Sequence, residues 1–235
     1  MPLEIACFTP TSAITAITAI TAGADRIELC ASYHLGGVTP PLSWLEQIKS
    51  HFANCTSEII PINVMLRPRC GDFFYTSSEF DQMRDALTSF ADAGADGFVF
   101  GILTENGDID AERNTKLVQL ASVRGKSCTF HRAFDGIDDG RKIEALNTLV
   151  ECGFEAVLTS GTAGAEGAIG GVEVLGRLVE AAEGRIEVVV GGGVRSGNLG
   201  GLRGTGARWF HSAAMGEGEE VDEVEVGRLR ELVER

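Results

Sequence analysis

Four times along this chain a helical segment closes on glycine, takes a short polar step and enters an apolar run. These places read "AGADRIEL" at Gly23, "AGADGFVF" at Gly94, "CGFEAVLT" at Gly153 and "GTGARWFH" at Gly206. The residue just past a helix often adopts the left-handed conformation, where a Cβ is strained, so glycine there reads as a helix end. The four glycines are spaced by 71, 59 and 53 residues. Four further strand-like runs, "LEIAC", "IIPINVML", "KSCTF" and "RIEVVV", interleave with the glycine-led ones. The pattern predicts eight strands alternating with eight helices, about 29 residues per unit, with no composition break over 1–235. Strict alternation requires a parallel sheet covered by helices, and the number eight favours a single-domain α/β fold, the closed (β/α)8 TIM barrel. An open doubly wound sheet is the alternative, but "ACFTPTS" follows the first strand where a "GxGxxG" would be expected.

The helices carry their own marks. Thr9-Pro10 and Thr39-Pro40 each place a capping hydroxyl before a first-turn proline, and Thr76 with Glu79 forms a capping box. Leu42, Leu45 and Ile48, then Phe80, Met83, Leu87 and Phe90, then Leu117, Leu120 and Val123 recur at helical spacing and are expected in the core. In "AITAITAITA", Ile14, Ile17 and Ile20 drift only about 60° per step, so they are expected on one broad face of the first helix. The last helix is expected to pack through Val224, Leu229, Leu232 and Val233, after an acidic solvated loop.

Composition narrows the partners. With 34 acidic against 20 basic residues the net charge is −14, which opposes nucleic acid and anionic membranes. No apolar run approaches a transmembrane span, and "MPLEIACF" lacks the features of a signal peptide, so a cytoplasmic protein is expected. The six cysteines are far apart, without C-x-x-C pairs, and read as small buried hydrophobes rather than disulfides.

Strand parity locates the polar residues. Sending β-branched, leucine and phenylalanine positions outward to the helices turns Glu4, Glu28, Cys30, Asn63, Met65, Arg67, Thr129, His131, Glu187, Trp209 and His211 inward. Parallel strands covered on both faces are normally near-continuous apolar runs, and an unpaired charge there costs several kcal/mol, on the order of 3–5. A salt-bridged ring, Glu28 with Arg67 for example, would fill the barrel without further purpose. Position favours a working site instead, because Glu28, Cys30, Arg67, His131, Ser160 and His211 fall at carboxyl ends of strands, where such barrels do chemistry. Glu28 and His131 are the candidate proton-transfer pair, with His211 a second polar contact. Arg67 and Arg69, facing the loop of Gly191, Gly192 and Gly193, make a candidate anion site. Arg132 and Asp135 lie past the end of strand five, where a rim salt bridge is expected.

These same segments together resemble the CutC copper-homeostasis family: "GADRIELC", "GGVTP", "RPRCGDFFY", "GADGFVFGILTENGDID", "TFHRAFD", "LTSG", "GGGV" and "FHSAA", in order from residue 23 to 214. The resemblance implies a cytosolic barrel that associates as a homo-oligomer, dimer or tetramer, and binds copper as Cu(I) at cysteines ending strands one and two. Cys30 matches the second of these. At the first, the family's Glu-x-Cys reads Glu4-Ile5-Ala6-Cys7, so Ala6 stands at the ligand position and Cys7 follows with opposite parity. Two functions therefore stand side by side: Cu(I) at Cys30 with Cys7, and an enzyme working by acid–base chemistry on a small anionic metabolite, phosphorylated ones included.

Overall fold

The structure, a computed structural model, describes residues 1–8, 12–53, 60–216 and 219–234. Eight parallel strands close into one barrel in chain order: β1 (Leu3–Cys7), β2 (Arg26–Leu29), β3 (Ile62–Met65), β4 (Gly97–Phe100), β5 (Ser127–Phe130), β6 (Ala156–Thr159), β7 (Glu187–Val190) and β8 (Trp209–Ser212). The helices that cover it are α1 (Ser12–Thr21), α2 (Leu42–Ala53), α3 (Ser77–Asp92), α4 (Ala111–Ser122), α5 (Lys142–Cys152), α6 (Val172–Ala182), α7 (Leu199–Leu202) and α8 (Glu223–Glu234). Each of the four punctuating glycines, Gly23, Gly94, Gly153 and Gly206, has positive φ, between 80° and 103°. The (β/α)8 barrel is thus reached through the alternation visible in the chain.

The wall sorts its residues by parity. Ile27, Leu29, Ile62, Val64, Phe98, Phe100, Phe130, Val157, Val190 and Phe210 pack outward in the main hydrophobic cluster with the helices. The inward set is split: Ala6, Phe8, Cys30, Met65 and Val99 form one small cluster, and Ala156, Leu158 and Val189 with Trp209 another. Apolar packing therefore fills only part of the interior, and the rest is polar. Glycines just past the ends of β4 and β7 make the room. A Cβ on Gly101 would fall 2.7 Å from the His131 ring, and one on Gly191 would fall 2.6 Å from Leu158 and 3.3 Å from His211.

Four local expectations are corrected. Ile14 is 67% exposed, and α1 instead buries Thr15, Ala16 and Ala19, small residues that let it approach its neighbours, with Ile17 and Ile20 half-buried. Val123 is 79% exposed because α4 ends one residue before it. Val224 is 58% exposed, at the first turn of α8, which buries Val226, Leu229 and Val233. Thr39 does not cap α2, which starts at Leu42. Its hydroxyl accepts the Arg67 N–H at 2.8 Å and its own N–H donates to the Arg67 carbonyl, so it clamps the end of β3. The Thr76–Glu79 capping box is present, and Thr9-Pro10 lies outside the described residues. The seventh helix is a single turn, since "LGGLRGTG" cannot sustain more.

Two glycines give substitutions of opposite sign. Gly153 closes α5 at φ 89°, so Gly153→Ala should lower stability by about 1–2 kcal/mol. Gly176 lies inside α6 with open space at its Cβ position, so Gly176→Ala should raise stability by roughly 0.5–1 kcal/mol. Urea unfolding of the two variants checks the pair, and shifts of the same sign would contradict the assignment.

Candidate active site

A cavity of about 180 Å³ opens at the carboxyl ends of the strands. Its wall includes Glu28, Arg67, His131 and His211, one from each of four strand ends, with Gly192 and Gly193 from the loop after β7. The structure thus brings together four of the predicted polar side chains and two of the three glycines. Gly191 lies just below, its N–H donating to the Thr159 carbonyl at 3.0 Å.

Glu4 anchors the polar interior. It is 1% exposed, pairs with Arg26 through Oε2, and accepts from His211 Nδ1 at 2.8 Å through Oε1. Burial pushes its carboxyl up, but Arg26 and His211 together outweigh this and hold it at about 2, so Glu4 is ionised. An ionised acceptor fixes the proton of His211 on Nδ1 and turns Nε2 toward Glu28 Oε2, 3.5 Å away. Burial pushes the His211 imidazole down; Glu28 and then Glu4 pull it above its ordinary value. For Glu28 burial is the largest effect and raises its pKa, with Glu4 adding to the rise against the pull of His211. Glu28 is therefore a carboxyl shifted toward neutrality, with His211 as a partner that can supply or take up charge.

His131 behaves differently. It is 3% exposed and sits edge-on to Phe73, ring centroids 4.8 Å apart. Its Nδ1 accepts the Ala133 N–H at 3.3 Å, and since an amide can only donate, the ring proton belongs on Nε2. Burial, then the nearby Arg67, pushes its pKa down to about 3. His131 is thus held as a neutral hydrogen-bond donor, and the imidazole that stands beside Glu28, at 3.5 Å, is that of His211.

The arginines divide. Arg67 Nη1 donates to the carbonyls of Leu35, Gly36 and Gly37 at 3.0–3.1 Å, and Nη2 to Gly71 at 2.9 Å. It ties the loops after β2 and β3 together, leaving one donor, Nε. Arg69 does not reach the cavity wall. Its Nε donates to Glu79 at 2.6 Å and Nη2 to Asp72 at 2.9 Å and the Phe74 carbonyl at 2.8 Å, while Nη1 donates to two further carbonyls. Two arginines not chosen from the sequence as anion ligands, Arg132 and Arg195, stand on the wall instead. Both lie in loops, where strand parity no longer predicts direction. Arg132 makes the expected pair with Asp135, at 2.7 Å, but that carboxylate is buried and also accepts from the Thr159 and Ser160 hydroxyls and the Ser160 N–H.

Among the described residues six buried side-chain polar atoms have no hydrogen-bond partner, and three of them, Glu28 Oε1, Arg67 Nε and His131 Nε2, belong to residues on this one wall. A buried polar atom left unpaired costs about 1–3 kcal/mol. On this wall an acceptor would satisfy the two donors, and a donor the carboxylate oxygen.

Cys30 and Cys7 are both fully buried and lie on opposite faces of the barrel wall, Cys30 in the inner cluster and Cys7 in the outer one. Burial and then Glu28 push the Cys30 thiol well up, and burial pushes the Cys7 thiol up as well. Neither is a ready thiolate, and among the described residues no group of three or more His, Cys, Asp or Glu is arranged to hold a metal.

The model of the CutC family matches residues 1–216. A human protein named "Copper homeostasis protein cutC homolog" is 44% identical over 201 residues, covering 85% of this chain and 69% of its own. A family protein CutC of Vibrio campbellii (strain ATCC BAA-1116) is 42% identical over 182 residues, 77% of this chain and 70% of that one. Among solved structures, the CutC protein of Streptococcus agalactiae superposes with a TM-score of 0.82 at 30% identity, over 91% of this chain and 98% of that chain. An aldolase with a TM-score of 0.69 at 13% identity, over 99% and 96% of the two chains, shares the fold alone.

His131 gives a signature in pH. The unfolded chain takes up this proton near the ordinary value of 6.5, whereas the folded protein resists it down to about 3. Stability is therefore full above pH 6.5 and falls as pH drops through that window, by up to about 1.4 kcal/mol per unit from this residue. Urea unfolding between pH 4 and 7 should show a shallower slope in His131→Asn than in the parent, by close to one proton. Parallel slopes would mean that His131 is not held neutral.

Proposed function

The chain belongs to the CutC family, and on that premise we propose that its working site is the mouth of the barrel, where it acts on a small anionic metabolite by acid–base chemistry. The three unpartnered polar atoms on the cavity wall carry this reading. Glu28 exchanges the proton, and the His211–Glu4 pair behind it adjusts and restores its charge. Nε2–H of His131 and Nε–H of Arg67 donate to an oxygen of the ligand, holding it and stabilising negative charge that develops there. Each of these groups is assembled before the ligand arrives, so little reorganisation accompanies the reaction.

A role in copper homeostasis is part of the proposal, brought to this chain from the names of its relatives. So are a cytoplasmic location and a homo-oligomeric state, dimer or tetramer. Cu(I) itself, if bound, would call on Cys30 with Cys7 as thiolates. The pair does not fit. Cys7 faces the helices, Cys30 faces the axis, and both thiols are buried and held in the protonated form. Glu28, Arg67 and His131 are hard, charged or donor groups that suit an anionic metabolite better than a soft metal. No step of the proposed chemistry passes through copper.

Two measurements divide the readings. In Cu(I) competition against a chromophoric chelator under reducing conditions, the parent and Cys30→Ala should hold copper alike. Tight stoichiometric binding lost in Cys30→Ala would favour the metal reading. In a thermal-shift screen of small carboxylates and phosphate esters, stabilising compounds should be found. Turnover of the compound that is processed should fall about 10²-fold or more in Glu28→Gln while Cys30→Ala keeps it. Stabilisation that survives in a Glu28→Gln, His131→Asn double variant, with no turnover in the parent, would sink the proposal.

A further inference from the structure

The chain is strongly acidic, 34 Asp and Glu against 20 Lys and Arg, yet the cavity wall reverses that balance. It carries three arginines, Arg67, Arg132 and Arg195, and one carboxylate, Glu28. Resting on the metabolite reading above and deepening it, we infer that Arg132, Arg195 and the backbone amides of Gly193 and Val194 form a seat for the phosphoryl group of a phosphate monoester. This seat lies at the β5–β7 side of the mouth, and neither Arg67 nor Arg69 forms part of it.

Arg132 is held in place from behind. Its Nε donates to Asp135 at 2.7 Å and one Nη2 hydrogen to the Ser160 hydroxyl at 3.3 Å, which leaves Nη1 without a partner among the described residues. Asp135 is the positioning residue. Its carboxylate is 5% exposed and accepts the Thr159 hydroxyl at 2.5 Å, the Ser160 N–H at 2.9 Å and the Ser160 hydroxyl at 2.8 Å as well as Arg132. Shared among four donors, it fixes the guanidinium without cancelling its charge for a ligand on the far side. The guanidinium lies over Gly192, where a Cβ would fall 3.1 Å from Cζ and 2.8 Å from the Ser160 Cβ. Glycine is required there for the close approach as well as for its φ of 92°.

Arg195 donates through Nη1 to the Met215 carbonyl at 3.0 Å and has no ion pair among the described residues. Between the two arginines runs the turn after β7. The Gly192 carbonyl accepts the Ala168 N–H, and the Gly193 carbonyl accepts Asn198 Nδ2 at 2.8 Å. In a trans peptide the N–H points opposite to its C=O, so both bonds turn the N–H groups of Gly193 and Val194 the other way, on residues that line the cavity. Neither N–H is among the donors of the hydrogen bonds that shape this turn. Two guanidinium groups and two amides on one wall offer more donors than the two coplanar oxygens of a carboxylate can use, which suits the three free oxygens of a phosphoryl group.

The test uses inorganic phosphate on the intact protein. Calorimetric titration should show saturable binding by the parent, with no saturable response to acetate at the same ionic strength. Arg195→Gln should weaken phosphate binding about tenfold or more, and Arg132→Gln at least as much. Arg195 is the safer of the two variants, because Arg132 shares a buried carboxylate; circular dichroism checks that both fold. Glu28→Gln should bind phosphate at least as well as the parent, so loss of turnover there reports on the acid–base reading and leaves the seat intact. No saturable phosphate binding by the parent, or equal binding by parent and Arg195→Gln, would overturn the inference, as would acetate binding as well as phosphate.

Discussion

The hydrogen bond from His211 Nδ1 to Glu4 Oε1, 2.8 Å long and buried inside the barrel, makes the polar interior possible. An isolated carboxylate on the axis would cost several kcal/mol, on the order of 3–5, and would protonate. Glu4 is instead paired to Arg26, whose guanidinium in turn lies 4.0 Å over the Trp209 ring near the amino-terminal end of the barrel. From there the charges run upward through His211 to Glu28. Register puts Glu4 beside both Arg26 and His211 and puts Glu28 one step higher, beside Ala6. In its lower half both Glu4 oxygens are paired, while Arg26 Nη2 is buried without a partner. At its upper end Glu28 Oε1 is likewise unpartnered, on a residue that lines the cavity.

The two sides of the mouth are built on different logic. On the β2–β3 side, Arg67 is part of the scaffold, joining two loops through four backbone carbonyls with its Nε left unpartnered. On the β5–β7 side, Asp135 is the scaffold and Arg132 the group it presents. His131 stands between as a neutral donor because burial and the Arg67 charge both oppose its protonation. A carboxyl on one wall, uncharged and cationic donors on the others and a reversal of charge relative to the whole chain are the features on which the proposed anion site rests.

The fold was legible because its signals are local. A glycine at positive φ after each of four helices and alternating strand parity are properties of short segments, and both appear where expected. Parity also identified Glu4, Glu28, Arg67, His131 and His211 as inward residues, since side-chain direction along a strand follows from a period of two. What stayed hidden was which group answers which. Pairing Glu28 with His211 rather than His131 depends on neighbours around the closed barrel, and the consumption of Arg67 and Arg69 by backbone carbonyls depends on loop paths. Arg132 and Arg195 stand past strand ends, beyond the reach of parity. In α1 the buried face is not centred on the isoleucines: Ile14 is exposed, and Thr15, Ala16 and Ala19 pack inward.

The proposed chemistry needs His131 as a neutral donor on the cavity wall, and long-range proton–nitrogen NMR of the imidazole observes that state directly. The predicted spectrum at pH 7 shows the Nε2–H tautomer, unchanged down to at least about pH 5, with Nδ1 a hydrogen-bond acceptor. A titration midpoint near 6.5, or the proton found on Nδ1, would contradict it.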